Sequence, residues 1–378
     1  MAALLGASAV LFRALPARVE VCAPGAGGMN SAPRRKRVAI IGAGPAGLAA
    51  AWDLRYAADI DVTVFEKSKG VFGRAATRTR HGARLDPGAN YFRTDLPDIA
   101  SMVLSQLPAD DLVEIAGDID VFDRFGTISA GDPSLNGEKK WTYRQGINTL
   151  GKLLAAATQC EIVFGTKVGG IQRISRSQSW EVVDEGNRRC GVFDAILLAL
   201  PAPQAMALLP ADASVCAGAL APATYQSQWS FTFAFDGTAS RWPGNAYALI
   251  NEDRQHEFAW VSRENAKPGR MPEGMLVVMA QMQPGWSLER FHSDAGELAR
   301  EVSNALAEFF GWNSTAFHWF DSQRWKYSLP TGRADTDQLR AMEATGLYVA
   351  GDAVVGKGRV AQALQSGLDV ARRIRDSA

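Results

Sequence analysis

The chain has 378 residues, of which 40 are basic and 40 acidic, so its formal net charge at pH 7 is zero. This balance leaves no excess positive charge that would attract nucleic acid or an anionic membrane surface, and neither is expected as a partner. The length exceeds what a single hydrophobic core usually supports, which predicts two domains.

The first 35 residues are expected to lie outside the fold, because they are rich in alanine and glycine and show no periodic pattern. Their apolar run, 2–12, is shorter than the roughly 20 residues of a transmembrane helix. Arg13 and Arg18, with no acid before Glu20, resemble a transit peptide, whereas a start at Met29 is the plainer interpretation. We therefore expect a disordered, targeting or misassigned extension. The protein is expected in the cytoplasm, with an organelle as the alternative.

A glycine-rich motif follows the first predicted strand, Val38–Ile41, and opens a helix-like stretch at 46–57. In such a turn the first glycine permits the tight bend, the second lets the backbone approach a pyrophosphate, and the third lets the helix pack on the strand. The helix N-terminus also offers unpaired N–H groups to phosphate. The spacing predicts a dinucleotide site formed by Gly42, Gly44, Pro45, Ala46 and Gly47.

The second predicted strand, Asp61–Glu66, ends in an acid about 20 residues after the glycines. A carboxylate at that position accepts hydrogen bonds from the two ribose hydroxyls of a dinucleotide. Glu66 is therefore the predicted ribose ligand, and Lys67 beside it is included in the predicted site. A glycine-rich turn without any ligand is the alternative interpretation.

The middle of the chain is predicted to return to the same domain. Residues 149–158 have the composition of a helix, and four strand-like runs follow. The last run is almost continuously apolar and ends at Pro201, which is typical of a strand buried on both faces. The four runs are 161–164, 170–174, 180–183 and 193–200.

Residues 227–235 alternate polar and aromatic side chains, which indicates a strand with one covered face. Trp229, Phe231, Phe233 and Phe235 share that face, and core packing is favoured over substrate contact for most of them. The predicted fold class is α/β, with a Rossmann-like domain whose parallel sheet is discontinuous in sequence. The predicted second domain is a smaller α+β substrate domain with a mainly antiparallel sheet. The predicted boundaries are 36–93, 145–209 and 331–378 for the first domain, and 94–144 and 210–330 for the second.

Two further motifs lie far apart in the chain, Gly73-Arg74 after the second strand and Gly351-Asp352 near the end. They resemble the Gly-Gly-Arg signature and the C-terminal FAD motif of the flavin-dependent amine oxidase superfamily, with Phe72 in place of the first signature glycine. Within that superfamily the chain most resembles the renalase-like branch. The segments similar to that branch are 65–78, 85–92, 146–150, 324–327 and 351–360.

The resemblance implies FAD rather than NAD as the cofactor. It implies that Gly73 and Arg74 lie near the pyrophosphate and flavin, that backbone around Val168 meets the adenine, and that Asp352 after Gly351 binds the ribityl chain. A helix beginning near residue 359 would lie under the isoalloxazine, where its dipole stabilises an anionic reduced flavin. The predicted contacts there are Arg359, Val360 and Ala363.

The four cysteines are scattered without a Cys-x-x-Cys pair, which excludes a redox-active dithiol. None lies in the C-terminal motif, where monoamine oxidases tether their flavin, so the FAD is expected to be non-covalent. The four histidines have no metal-ligand spacing, and no metal is expected. A second Gly-x-Gly-x-x-Gly is also missing, so the electron donor is expected to enter a pocket of the substrate domain. The cysteines are Cys22, Cys160, Cys190 and Cys216, and the histidines are His81, His256, His292 and His318.

The activity implied by the resemblance is hydride transfer from a small donor to flavin N5, with reoxidation by O2 to give H2O2. The most concrete interpretation is oxidation of 2- or 6-dihydro isomers of NAD(P), because loss of the hydride restores an aromatic ring. Residues 355–363 lack the tyrosine that monoamine oxidases carry there. Oxidation of a primary or secondary amine, desaturation, and flavin binding without turnover remain alternatives.

Four residues are candidates to face the flavin, because they lie in motif-like segments. If 325–327 is a strand, Trp325 and Tyr327 share one face and Lys326 has the other. Lys326 either lies near N5 or points to solvent, and solvent is favoured for a lone lysine. Tyr91 either walls the pocket or serves packing alone. The predicted catalytic residues are Tyr91, Trp325, Lys326 and Tyr327.

Overall fold

The computed structural model describes residues 34–238 and 240–377, so the expectations for the N-terminal extension, including Cys22 and Met29, lie outside the described residues. Short helical turns also occur at Met102–Gln106 (π-helical), Glu264–Ala266 and Glu343–Thr345 (both 3₁₀). The α-helices are α1 (Pro45–Leu54), α2 (Pro97–Ser101), α3 (Pro133–Asn136), α4 (Thr149–Ala157), α5 (Ala202–Met206), α6 (Ser214–Leu220), α7 (Pro284–Glu289), α8 (Ala295–Phe310), α9 (Thr336–Met342), α10 (Asp352–Val355) and α11 (Val360–Asp376).

The strands form one parallel sheet, one larger mixed sheet and three small antiparallel sheets. They are β1 (Lys36–Ile41), β2 (Ile60–Glu66), β3 (Arg78–Arg80), β4 (Ala83–Leu85), β5 (Leu112–Glu114), β6 (Ile119–Phe122), β7 (Ile128–Ser129), β8 (Trp141–Tyr143), β9 (Glu161–Phe164), β10 (Val168–Ile174), β11 (Ser179–Asp184), β12 (Arg189–Phe193), β13 (Ala195–Leu198), β14 (Tyr225–Asp236), β15 (Ala248–Asn251), β16 (Phe258–Arg263), β17 (Met275–Met282), β18 (Trp319–Pro330) and β19 (Leu347–Val349).

The parallel sheet has the order β19-β13-β1-β2-β9, and all of its neighbouring strands run parallel. Its central strand β1 is covered on both faces. Val38 and Ile40 pack into the core with α1, α4 and α11, whereas Ala39 and Ile41 pack into the core with α5 and α6. Continuous apolar strands are what such two-sided burial requires. The predicted Rossmann-like parallel sheet, assembled from distant chain segments, is confirmed.

The apolar run predicted as one strand over 193–200 is two strands in the structure. β12 ends at Phe193 and pairs antiparallel with β11, whereas β13 starts at Ala195 and pairs parallel with β1. Asp194 separates them: its N–H donates to the Arg37 carbonyl at 2.7 Å, and its carboxylate accepts from the Arg37 N–H at 2.8 Å. The chain therefore changes sheets at that residue.

The seven-stranded sheet has the order β18-β14-β17-β16-β15-β6-β7, and every pair is antiparallel except β15 with β6. The core between this sheet and α8 holds Leu298, Val302 and Leu306 from the helix. The predicted alternation is confirmed on the central strand β14, whose aromatic face packs into that core. Its buried aromatics are Trp229, Phe231, Phe233 and Phe235.

No helix within residues 34–238 and 240–377 is long and apolar enough to cross a membrane.

Candidate functional site

The turn between β1 and α1 has the geometry that each glycine of its motif requires. Gly42 has φ 105°, which an L side chain rarely adopts, and its N–H donates to the Phe65 carbonyl at 2.8 Å. A Cβ on Gly47 would collide with the Gly42 carbonyl oxygen, so this position keeps the helix close to the turn. A Cβ on Gly44 would meet no protein atom within 4 Å, so the backbone there is open to a close ligand.

Glu66, at the end of β2, is 7% exposed. Its carboxylate accepts hydrogen bonds from the Ala43 N–H at 2.9 Å and from the Ser68 N–H at 2.8 Å. These bonds hold the acid beside the glycine turn, where the predicted ribose ligand belongs. Lys67, the next residue, is exposed.

The segment before β10 lies alongside this acid, because the Thr166 N–H donates to the Glu66 carbonyl at 3.0 Å and the Gly165 N–H to the Ser68 carbonyl at 3.2 Å. Val168 follows directly and is 6% exposed, packed into the core on the α5 and α6 side of the parallel sheet. The side chain of Val168 is thus a core residue. Contact with an adenine through the nearby backbone stays a prediction.

A second loop, at residues 72–74, closes over the glycine turn. The Phe72 N–H donates to the Ala43 carbonyl at 2.8 Å. A Cβ on Gly73 would have the Gly44 Cα, at 3.7 Å, as its nearest neighbour. The two glycines therefore lie side by side and form an open cradle beside the N-terminus of α1. This cradle fits the pyrophosphate of a dinucleotide.

Arg74 and Asp352 connect the two distant motifs. The guanidinium donates to both carboxylate oxygens of Asp352, at 2.6 and 2.9 Å, and also to the carbonyls of Tyr327 and Ser328 at 3.2 and 3.0 Å. The Tyr225 hydroxyl donates to the same carboxylate at 2.8 Å. Burial, reinforced by the negative charge of Asp352, raises the pKa of Tyr225, so this tyrosine remains a donor.

The C-terminal motif is positioned by α11. Gly351 has φ 112°, and its N–H donates to the Ser366 hydroxyl at 3.0 Å. A Cβ on Gly367 would collide with the Ala46 carbonyl oxygen, so α11 packs directly on the start of α1. Arg359 is exposed at the first turn of α11, Val360 is buried, and Ala363 is partly buried. The start of α11 and the glycine turn are thus held close together, and contact of Arg359, Val360 and Ala363 with a cofactor stays a prediction.

The polar face of β14 is directed towards these loops. Ser230 pairs directly with Gln281 of β17, and the Gln281 side-chain amide donates to the Gly88 carbonyl at 2.8 Å. Gln228 lies on the same face, pairs with Trp325 of β18, and accepts a hydrogen bond from the Ser328 hydroxyl at 2.8 Å. The sheet therefore covers the loops with neutral amide and hydroxyl groups. These polar groups were not predicted from the sequence, although the alternation in β14 already places its polar residues on the face opposite the aromatic residues.

The four predicted catalytic residues lie in different surroundings. The Trp325 indole N–H donates to the Pro87 carbonyl at 3.1 Å, which places this ring against the 86–91 loop. Tyr327 packs edge-on against Tyr225, with ring centroids 5.9 Å apart. Lys326 is exposed, in agreement with the interpretation favoured for it. The structure therefore brings Trp325 and Tyr327 towards the cofactor loops and leaves Lys326 on the surface.

Tyr91 lies in an aromatic corner of its own. Its ring centroid is 6.3 Å from that of Tyr247 and 6.2 Å from that of Trp260. Trp260 pairs with Gln281, so this corner adjoins the polar face of the sheet. The Tyr247 hydroxyl and the Trp260 indole nitrogen are buried without a hydrogen-bond partner in the structure. Burial raises the pKa of Tyr247, which keeps its hydroxyl protonated.

A fully buried group of charges lies behind the 86–91 loop, and nothing in the local sequence pattern indicates it. Asp86 accepts from the Arg270 guanidinium and lies 3.6 Å from the Lys267 ammonium, which is 2.7 Å from Glu264. All four side chains have no solvent exposure. Two cations thus balance two anions. Within the described part of the chain, no group of three or more His, Cys, Asp or Glu residues is arranged to hold a metal ion.

The glycine turn, the acid at the end of β2 and the doubly covered parallel sheet define a dinucleotide-binding protein of the Rossmann type. Residues 40–106 match the NAD(P)-binding Rossmann-like domain, and residues 115–375 match the flavin containing amine oxidoreductases. The second match covers most of the chain, so the protein belongs to the flavin-containing amine oxidoreductase family. It is an FAD-dependent oxidoreductase, as the motifs predicted.

Solved structures share the fold over most of its length. One is a protein of Exiguobacterium sp. 255-15, provisionally assigned as a protoporphyrinogen oxidase, with TM-score 0.73 and 17% identity over 93% of this chain and 100% of that one. Another is cyclohexylamine oxidase of Brevibacterium oxydans IH-35A, with TM-score 0.70 and 14% identity over 91% of this chain and 99% of that one.

A curated relative is similar over a short stretch only. Protoporphyrinogen oxidase 2, chloroplastic/mitochondrial, of Arabidopsis thaliana is 40% identical over 68 residues, which are 18% of this chain and 13% of that protein. The chain therefore matches about an eighth of that relative's length.

Proposed function

We propose that the protein oxidises a small hydride donor, namely a 2- or 6-dihydro isomer of NAD(P), as the renalase-like motifs predict. FAD, when bound non-covalently, supplies the two-electron acceptor, and O2 then takes the electrons to give H2O2. The observation that carries the proposal is the neutral polar roof formed by Gln228, Ser230 and Gln281. A donor that loses only a hydride needs no base in that roof. The Gln228 amide already donates to the Met282 carbonyl and accepts from Ser328, so the Gln281 amide is the one that can bind a nicotinamide carboxamide.

The residues around the roof have separate tasks in this proposal. Trp325, held against the Pro87 carbonyl, and Tyr327, packed on Tyr225, form a wall beside the cofactor loops. Tyr91 forms the opposite wall with Trp260. Lys326, exposed on the bulged part of β18, takes no part. The walls exclude water and hold the donor ring flat, which is the positioning that hydride transfer requires.

The test is anaerobic mixing of the yellow holoenzyme with 2-dihydro-NAD, 6-dihydro-NAD, NADH, and a panel of primary and secondary amines. Bleaching of the visible flavin band by the two isomers alone is expected. Bleaching by amines, with the isomers inert, would establish amine oxidation instead, the activity that the family's name suggests. Inertness to every donor would favour flavin binding without turnover.

A matched pair of variants connects this assay to the roof. Gln281→Leu removes the amide that contacts the Gly88 carbonyl, and we expect bleaching by the isomers to slow about tenfold or more, the effect of losing a hydrogen bond of about 1.5 kcal/mol. Gln338→Leu changes an exposed amide on α9 that bonds only Asp335, and it should leave the rate unchanged. Equal rates for both variants would remove the roof from the mechanism.

A further inference from the structure

Lys140 combines a buried side chain with an ammonium group that forms no ion pair within residues 34–238 and 240–377. It is 4% exposed, yet its ammonium group forms no ion pair and no hydrogen bond with any residue of the described chain. The side chain of its neighbour Lys139 is instead 61% exposed and forms an ion pair with Glu114 at 3.2 Å. The Lys140 nitrogen is not among the enclosed polar side-chain atoms that lack a hydrogen-bond partner, so the packed stem holds an ammonium group that a ligand can reach. A lysine held in this way can bind an anionic group such as phosphate.

The backbone register places Lys140 on the same side as the aromatic corner. Phe92 and Trp141 form an antiparallel bridge with reciprocal N–H to carbonyl bonds of 3.0 and 2.8 Å. Phe92 stacks on Tyr143 and faces the core around α1. Because side chains alternate between the two faces of an extended segment, the residues on either side of Phe92 and Trp141 point away from that core. Tyr91, Arg93 and Lys140 therefore share one face, and Tyr247 and Trp260 pack against it at Tyr91.

One cation, Arg93, and two carboxylates, Asp118 and Glu114, act on the Lys140 ammonium group. The Arg93 guanidinium lies 5.9 Å from the centre of the Tyr91 ring and is held by Glu138 and by the Leu135 carbonyl at 3.0 Å. Burial lowers the pKa of Lys140, and Arg93 lowers it further, whereas Asp118 and Glu114 raise it. Asp118 is exposed, and Glu114 already has Lys139 as a partner. An anion bound beside Lys140 would favour its charged form.

We propose that Lys140, reinforced by Arg93, anchors a phosphate group of the hydride donor. This inference rests on the proposed function and adds to it the part of the donor that is remote from the reacting ring. The loop from Gly88, under the polar roof, to Arg93 spans five residues and at most roughly 18 Å. A dinucleotide can extend along it with its reactive ring at Trp325 and its phosphates at Lys140. Interactions with such a remote group hold the donor in place during the chemical step.

The experiment measures binding without turnover. Isothermal titration of ADP-ribose and of inorganic pyrophosphate into the oxidised holoenzyme gives a dissociation constant for each. Lys140→Met is expected to weaken ADP-ribose binding roughly 10- to 100-fold, the effect of losing a charged hydrogen bond. Lys139→Met removes an equal charge from the adjacent exposed position and should leave binding unchanged. Lys140→Arg should restore most of the affinity.

Melting temperatures and flavin content of the variants verify that each one is folded. If Lys140→Met binds ADP-ribose as tightly as the wild type, or if Lys139→Met weakens it equally, the anchor is disproved. Absence of ADP-ribose and pyrophosphate binding by the wild type would also disprove it. Since titration needs no oxidation, tight binding that depends on Lys140 stands even if no dihydronicotinamide isomer reduces the flavin. In that case the proposed function fails while the anion site remains.

Discussion

Phe72 adopts a left-handed backbone conformation, with φ 80°, at the position where the related signature has a glycine. The backbone thus keeps the shape that glycine would take without strain. Its side chain is fully buried, and a Cβ on Gly151 of α4 would lie 2.6 Å from three of its carbon atoms. The absence of a side chain at Gly151 is therefore what makes room for the aromatic ring. The substitution fills the core behind the cradle and leaves the cradle itself open.

Gly151→Ala is expected to destabilise the protein by about 1–3 kcal/mol, because the new methyl group overpacks the Phe72 ring. The free energy of unfolding in urea measures this. The control is Gly218→Ala, an exposed glycine within α6 whose added Cβ would meet nothing within 4 Å. Helix propensity predicts a gain of up to about 1 kcal/mol there. If Gly151→Ala leaves the free energy of unfolding unchanged, the Phe72 ring can move aside without loss of stability.

At the scale of elements, two glycines in the turn between β1 and α1 are needed for different reasons, one for folding and one for ligand binding. Gly47 is needed by the fold, because a Cβ would collide with the Gly42 carbonyl. Gly44 is needed only by the ligand, since its surroundings are open and its φ of −76° suits any residue.

Gly44→Ala is expected to leave the melting temperature of the apoprotein unchanged and to weaken FAD binding about tenfold or more. Gly47→Ala is expected to lower the melting temperature of the apoprotein itself, by a destabilisation of about 1–3 kcal/mol. Thermal melts of cofactor-free protein and fluorescence titration with FAD distinguish the two effects. A Gly44→Ala variant that binds FAD normally would place the pyrophosphate elsewhere.

The elements that carry local signals could be predicted from the sequence. The run 161–164 coincides with β9, and the helix predicted at 149–158 coincides with α4 to within one residue. Glycine spacing and the acid at Glu66 also identify the cofactor cradle, because these features depend on neighbours within about 30 residues. β14 was recognised for the same reason, since alternation is a property of the strand itself.

The polar roof and the proposed phosphate site at Lys140 depend instead on pairings between distant segments. Gln281 meets Gly88 across 193 residues, and Lys140 shares a face with Tyr91 only through the bridge between Phe92 and Trp141. No local pattern encodes such a register. From the sequence alone, Lys139 and Lys140 are both expected to face solvent. Only the structure shows that the Lys140 side chain is buried. The sequence therefore locates the cofactor more securely than it locates the donor.

At the scale of the whole molecule, the buried charges around Asp86 join three segments that are far apart in sequence. Arg270 donates to Asp86 in the 86–91 loop, to the Thr142 hydroxyl and the Tyr143 carbonyl on β8, and its own carbonyl accepts from the Arg84 N–H at 3.1 Å. The 86–91 loop also carries the carbonyls that contact Gln281 and Trp325. These charges thus hold the loop that lies between the glycine turn and the seven-stranded sheet.

Arg270→Met is expected to destabilise the whole chain by about 3–5 kcal/mol, because it leaves Asp86 buried with only Lys267, 3.6 Å away, as a cationic neighbour. Arg375→Met is the matched control: its partner Asp53 is 3.3 Å away, its side chain is 42% exposed, and such pairs contribute at most about 1 kcal/mol. Urea unfolding followed by both tryptophan and flavin fluorescence measures the two variants. We expect Arg270→Met to release flavin and to unfold in one transition at lower urea, since the loop is shared by both sites. A small and equal effect of the two substitutions would mean that the buried charges are dispensable, and that other contacts of the loop, including those with Trp325 and Gln281, suffice to hold it.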